Sequence, residues 1–93
     1  MRYTKVQGAN NNHVVNVYSL TTCPNCANAK KYLKERDIAF EFIDVDTATR
    51  DEKREITLFL KQNNLPISFP VITIDDKIMT GFNKEEIDIL LNE

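Results

Sequence analysis

The chain has only two cysteines, one histidine and no apolar run approaching the length of a bilayer span. Each scarcity removes something. A closed zinc site needs four ligands, so with Cys23, Cys26 and His13 alone it would have to draw on carboxylates or on a second chain. Without a long apolar run no membrane-spanning helix is expected. A large charge excess is missing too: 12 basic against 14 acidic residues leave a formal charge of -2 and a pI near 5.4. That balance argues against nucleic-acid or membrane binding resting on bulk charge. The segment from Met1 to His13 is polar and lacks the hydrophobic stretch of a signal peptide, so a cytoplasmic protein is expected. In that compartment a structural disulfide is disfavoured and a catalytic one is not. Ninety-three residues with 42% hydrophobic content suffice for one compact domain and not for two.

What is present is Thr22-Cys23-Pro24-Asn25-Cys26, both cysteines at the spacing of a redox pair. By itself the spacing fits half a zinc site, a structural bridge or a dithiol that cycles between thiol and disulfide. A bridge over so short a loop removes little unfolded-state entropy, which weakens the structural reading. The run from His13 to Leu20 reads as a strand and Ala27 onward as a helix, so the pair sits at a strand-to-helix turn. There the first cysteine meets converging backbone N–H groups, a setting that favours a thiolate.

Along the chain, residues 1–12 read as a mobile tail, with Gly8-Ala9-Asn10-Asn11-Asn12 small, polar and without apolar period; a short edge strand over Tyr3 to Val6 is the alternative. A central strand from about Val14 to Leu20 should bury Val15, Val17 and Tyr18. Pro24 suits the first helical turn. The helix it opens runs to about Arg36, with Ala29, Leu33 and Tyr32 inward and Lys30, Lys31, Lys34 and Glu35 outward. Those lysines read as a solvated face, with steering of an acidic partner as the alternative. A second strand spans Phe40 to Val45. Thr49 and Glu52 form a capping box for a helix to about Asn63, burying Ile56, Phe59 and Leu60. Two prolines interrupt Leu65 to Pro70. Val71–Ile74 and Lys77–Met79 read as a hairpin about Asp75-Asp76. Asn83 caps a last helix, with Phe82 stapled onto Ile87.

Cys23-Pro24-Asn25-Cys26 after the first strand, Phe69-Pro70 before the third, and Thr80-Gly81-Phe82 before the last helix together resemble the glutaredoxin branch of the thioredoxin-like superfamily, over about Val14 to Leu91. The resemblance implies an α/β thioredoxin-like fold, βαβαββα, with a four-stranded mixed sheet flanked by three helices in a single domain, residues 13–93. It implies a cis bond at Phe69–Pro70, facing the dithiol, whereas Leu65–Pro66 is expected trans. It implies Cys23 as attacking thiolate and Cys26 as resolving thiol, with Pro24, Asn25, Phe69, Pro70, Gly81 and Phe82 as substrate-binding residues.

Glutaredoxins that use glutathione usually carry Tyr between the cysteines, Lys a few residues upstream and Gly-Gly before the last helix. Here stand Asn25, Leu20 and Thr80-Gly81-Phe82-Asn83. This pattern looks more like the small glutaredoxin-like redoxins that supply electrons to ribonucleotide reductase. The implied activity is a dithiol electron carrier reducing protein disulfides, ribonucleotide reductase among the candidates, and recharged by a disulfide reductase with glutathione weak or absent as donor. A monomer is expected, with no metal and no cofactor beyond the redox-active Cys23–Cys26 disulfide. The alternatives are an iron–sulfur or zinc carrier dimerised through Cys23, and a thioredoxin-like adaptor without catalysis.

Overall fold

The computed structural model describes residues 2–92, so Met1 of the expected tail and Glu93 of the expected domain lie outside the described residues. The elements in order are β1 (Thr4–Val6), β2 (Val15–Ser19), α1 (Pro24–Glu35), β3 (Phe40–Asp44), a 3₁₀ turn (Val45–Thr47), α2 (Arg50–Gln62), β4 (Val71–Ile74), β5 (Lys77–Thr80) and α3 (Lys84–Leu91). They form one sheet in the order β1-β3-β2-β4-β5, in which only β2 and β3 run parallel.

Strand β2 is central because both its faces are apolar. Val15 and Val17 point to one face with Ala29 and Leu33 of α1 and with Ile87 and Leu91 of α3. Tyr18 points to the other with Ile56 and Leu60 of α2. Alternation in β4 does the same: Ile72 and Ile74 join the first cluster and Val71 the second. Helices α1 and α3 therefore cover one face and α2 the other. The caps are those the sequence predicts. Thr49 and Glu52 satisfy each other's backbone N–H groups, and the Asn83 side chain accepts the Glu86 N–H.

The expected four-stranded sheet is corrected to five. Residues 4–6, assigned to a mobile tail, pair antiparallel with β3, Lys5 opposite Glu41. The segment continues bound: the Asn10 N–H donates to the Asp37 carbonyl, and the Ala39 N–H to that of Asn10, each at 2.9 Å. Gly8 lies so close to this turn that a Cβ would come within 2.5 Å of the Ala39 nitrogen. The added strand left no apolar signature because only Val6 among its three residues is even half-buried; backbone pairing to an open sheet edge holds it.

A second correction concerns Lys30, expected outward with its neighbours. Its side chain is only 18% exposed; Nζ lies 3.0 Å from Asp44 Oδ1 and 4.0 Å from the centre of the Phe42 ring. Its long apolar stem covers the sheet while its charge is met by Asp44 at the end of β3.

Candidate active site

The site lies where β2 ends and α1 begins. Cys23 is the N-cap of α1, in an extended backbone conformation, and its Sγ accepts the Cys26 N–H at 3.3 Å. Pro24 occupies the first turn, where its lack of an N–H leaves no bond unmade. One of the helix's unpaired N–H groups thus supplies a donor to negative charge on Cys23 sulfur. Cys23 is half-buried, whereas Cys26, one turn on, is fully buried against the sheet. Both are free thiols.

Burial pushes the Cys26 thiol well up from its ordinary range, and the hydrogen bond with Cys23 acts in the same sense. A backbone hydrogen bond from Leu20 and the Lys30 charge pull the other way. Near this thiol the buried Ser19 hydroxyl donates to Asp44 Oδ1 at 2.6 Å, the same oxygen that pairs with Lys30. Sequence reading missed this network. Its only signal was a polar Ser19 inside an otherwise apolar strand and Lys30 four residues after Cys26 on the same helix face.

The turn before Cys23 is held from across the sheet. Asp46, in the 3₁₀ turn after β3, accepts the Thr21 N–H at 3.0 Å through one oxygen and the Thr21 hydroxyl through the other. These bonds hold the Asp46 carboxyl below its usual range, the hydroxyl bond contributing most. The Cys23 N–H donates to the Leu20 carbonyl at 3.3 Å and closes the turn.

Opposite the dithiol lies the loop before β4. The Phe69–Pro70 bond is cis, as expected, and Leu65–Pro66 is not. Cys23 Sγ lies 3.8 Å from the Phe69 carbonyl oxygen. The Pro70 carbonyl in turn accepts the Gly81 N–H at 2.8 Å, and Gly81 has φ +80°, a value natural to glycine. Cys23, Cys26, Phe69, Pro70 and Gly81 are thus connected by direct contacts, with Pro24 and Asn25 exposed on the first turn of α1. Phe82 is placed differently. Its ring packs edge-on against Tyr32 of α1, 6.1 Å between centres, and against the core that holds Ile87. It serves the α1–α3 seam. Among the described residues no group of three or more His, Cys, Asp or Glu side chains converges as a metal site.

Against known proteins, residues 15–79 match the family model of glutaredoxin. The chain is 41% identical over 81 residues to an uncharacterised glutaredoxin-like 8.6 kDa protein in the rubredoxin operon of Clostridium pasteurianum, covering 86% of this chain and all of that protein. Its fold superposes on the crystal structure of a glutaredoxin from Methanosarcina mazei Go1 with a TM-score of 0.87 and 31% identity, over 100% of this chain and 90% of that one. It also superposes on the glutaredoxin-like NrdH-redoxin from Escherichia coli, a protein described as having a thioredoxin-like activity profile. There the TM-score is 0.68 with 25% identity, over 82% of this chain and 92% of that one.

Proposed function

The chain belongs to the glutaredoxin family, and from that premise we propose that it is a thiol-disulfide oxidoreductase that reduces protein disulfides through Cys23 and Cys26. The observation that carries this reading is the inequality of the two thiols: one half-exposed at a helix cap with a backbone N–H on its sulfur, the other fully buried one turn away.

Cys23, as thiolate, attacks one sulfur of the substrate disulfide; a mixed disulfide forms at Cys23 and the second substrate sulfur leaves, taking up a proton. Cys26 then loses its proton and attacks the Cys23 sulfur. The Cys23–Cys26 disulfide closes, the remaining substrate thiol departs, and two electrons have passed to the substrate. The Phe69 carbonyl beside Cys23, just ahead of β4, supports a substrate chain laid down as a short added strand. We assign Pro24 and Asn25, exposed on the first turn of α1, and Gly81, bonded to Pro70, to contact with the same substrate chain.

The oxidised protein needs a reductant, which we take to be a disulfide reductase of the thioredoxin-reductase type rather than glutathione. Leu20 stands beside Cys23 where a lysine would hold a small carboxylate, and Ile67, 62% exposed on the loop before Pro70, offers an apolar contact to a protein surface. The likeness to an NrdH-redoxin with a thioredoxin-like activity profile supports this preference, and with it ribonucleotide reductase as a candidate substrate. A monomer working in the cytoplasm, where reducing equivalents are maintained, fits such a role.

Two experiments test the reading. Cys26→Ser should trap a protein substrate as a mixed disulfide at Cys23, seen as a mass adduct that reductant reverses, while Cys23→Ser should abolish turnover. If Cys23→Ser still reduces insulin, the assignment of roles is wrong. For the donor, oxidised protein is offered a glutathione/glutathione reductase system and a thioredoxin-reductase system at equal reductant. Faster turnover with glutathione would overturn the preference.

A further inference from the structure

A cleft of about 460 Å³ runs from Cys23 along one face of α1, with Leu20, Lys30, Lys31, Lys34 and Asp44 among its walls. Positions 23, 27, 30, 31 and 34 fall on a single helical stripe, so the cleft is continuous with the reactive sulfur. Its charge is one-sided. Lys30 is answered by Asp44, but Lys31 is 77% exposed and reaches Glu35 only at 3.9 Å, a geometry of little worth in water. Lys34 makes no ion pair among the described residues. A chain of net charge -2 thus presents two largely unanswered cations on the path leading away from its reactive thiol.

Resting on the oxidoreductase reading, we propose that this cleft receives an acidic segment of the protein substrate, on one side of the disulfide that Cys23 attacks. The spacing follows from helix geometry. Lys31 and Lys34 lie eight and eleven residues after Cys23, roughly 12 and 16 Å along the axis at 1.5 Å per residue. An extended substrate advances about 3.3 Å per residue, so its acidic side chains belong about three to five residues from the reactive cysteine. That distance separates this ligand from glutathione, whose carboxylates lie within about two residue lengths of its cysteine and fall short of Lys34. Charges this exposed act over about a Debye length, speeding encounter and fixing which way the substrate lies across the site.

The test is single turnover with pre-reduced protein and two synthetic peptides, each holding one internal disulfide, quenched by alkylation and read by mass. One peptide carries three Glu at three to five residues from a cysteine, and the other carries Gln there. At low salt the Glu peptide should be reduced about tenfold faster, and the gap should close in 0.5 M salt, about as expected for screened surface charges. Lys31→Glu/Lys34→Glu should reverse the order of the two peptides. Because both are compared on the same variant, a loss of folded protein cannot mimic the reversal. Reduction of both peptides at one salt-independent rate would overturn this assignment alone; reduction of neither would overturn the oxidoreductase reading and this assignment with it. Glutathione disulfide reduced as fast as the Glu peptide, and slowed equally by the charge reversal, would place a small anion in the cleft and also overturn it.

Discussion

The Gly81 N–H donates to the Pro70 carbonyl at 2.8 Å, so the residue that turns the chain into α3 also holds the loop whose preceding carbonyl faces Cys23. A side chain at Gly81 would meet nothing within 4 Å, and its φ is +80°. Gly81→Ala should therefore cost about 1–2 kcal/mol through backbone conformation alone, with Gly81→Asn costing less. Because the strain falls on the partner of Pro70, the Ala variant should also lose disulfide reductase activity at temperatures where it is fully folded. Urea denaturation and insulin reduction, run side by side, check both parts.

Gly8 makes the opposite case. Its φ is ordinary, but a Cβ there would approach backbone atoms of Asp37, Ile38 and Ala39 to between 2.5 and 2.8 Å. Backbone cannot step aside as a flexible side chain can. Gly8→Ala should destabilise by about 1–3 kcal/mol and loosen β1 from β3, with faster amide exchange along residues 4–10. Disulfide reduction by the folded variant should be unchanged, since β1 lies at the sheet edge away from Cys23.

The Lys30–Asp44 pair couples to a buried hydroxyl, so its two halves are not equivalent. Lys30→Met leaves Asp44 with Ser19 and should cost about 1–3 kcal/mol. Asp44→Ala strands the Lys30 charge and leaves the fully buried Ser19 hydroxyl only its longer 3.4 Å bond to the Ile43 carbonyl, so it should cost more. The double variant Lys30→Met/Asp44→Ala should cost less than the sum of the singles, because neither charge is then left unpaired. Chemical denaturation of the four proteins closes the cycle. Strict additivity would mean the pair is solvated and the network idle.

These contacts divide by how they were written in the sequence. Apolar period, capping residues and the cysteine spacing are local signals, and from them follow α1, α2, α3, strands β2, β3, β4 and β5, and the position of the dithiol. The pairing of β1 with β3 left no such trace, since edge pairing is made by backbone that every sequence carries. Lys30 departs from its expected outward position for a related reason. Helical periodicity places it on the flank of the buried stripe, and only the arrival of Asp44 from β3 decides that it turns inward. Phe82, expected as staple and as substrate contact, packs edge-on against Tyr32 in the α1–α3 seam.

His13 and Asp75 form an ion pair 2.6 Å long that ties the segment before β2 to the β4–β5 turn, and the second oxygen of Asp75 accepts the Val14 N–H. The hydrogen bond to Asp75 raises His13 above its ordinary 6.5, and the bond from His13 lowers Asp75 below its ordinary 3.8. A raised histidine contributes fully below pH 6.5 and loses its contribution as pH climbs through the folded value. A lowered aspartate contributes above pH 3.8 and loses its contribution as pH falls through its folded value. The stability difference between wild type and His13→Ala should therefore be greatest between about pH 4 and 6.5 and shrink on both sides. Thermal melts across pH 3 to 9 read this directly; a difference that is flat with pH would mean the contact stabilises without its charges.

Asp46 acts on the dithiol without touching it. Its two oxygens take the N–H and the hydroxyl of Thr21, two residues before Cys23, so one exposed carboxylate fixes the approach of the chain to the helix cap. Asp46→Ala releases both donors to water, where they are readily satisfied, so the folded protein should persist. What changes is order in the turn: the Thr21 amide should lose its exchange protection, and Cys23 should spend less time where its sulfur meets both the Cys26 N–H and an incoming disulfide. Turnover with a protein disulfide should fall by about three- to tenfold, the scale expected when a reacting group is held less well. Asp46→Asn, which keeps one oxygen for the Thr21 N–H, should fall between wild type and Ala. Acid should have the same effect on wild type, because protonating Asp46 weakens both bonds, and it should do so only below the ordinary carboxylate value of 3.8, since these bonds hold Asp46 ionised to lower pH. Exchange rates of the Thr21 amide, corrected for intrinsic chemistry and followed from pH 7 to 3, would then rise in wild type toward those of the Ala variant. Equal protection in the two proteins at pH 6 would show that the turn is held by the Cys23 N–H to Leu20 bond alone.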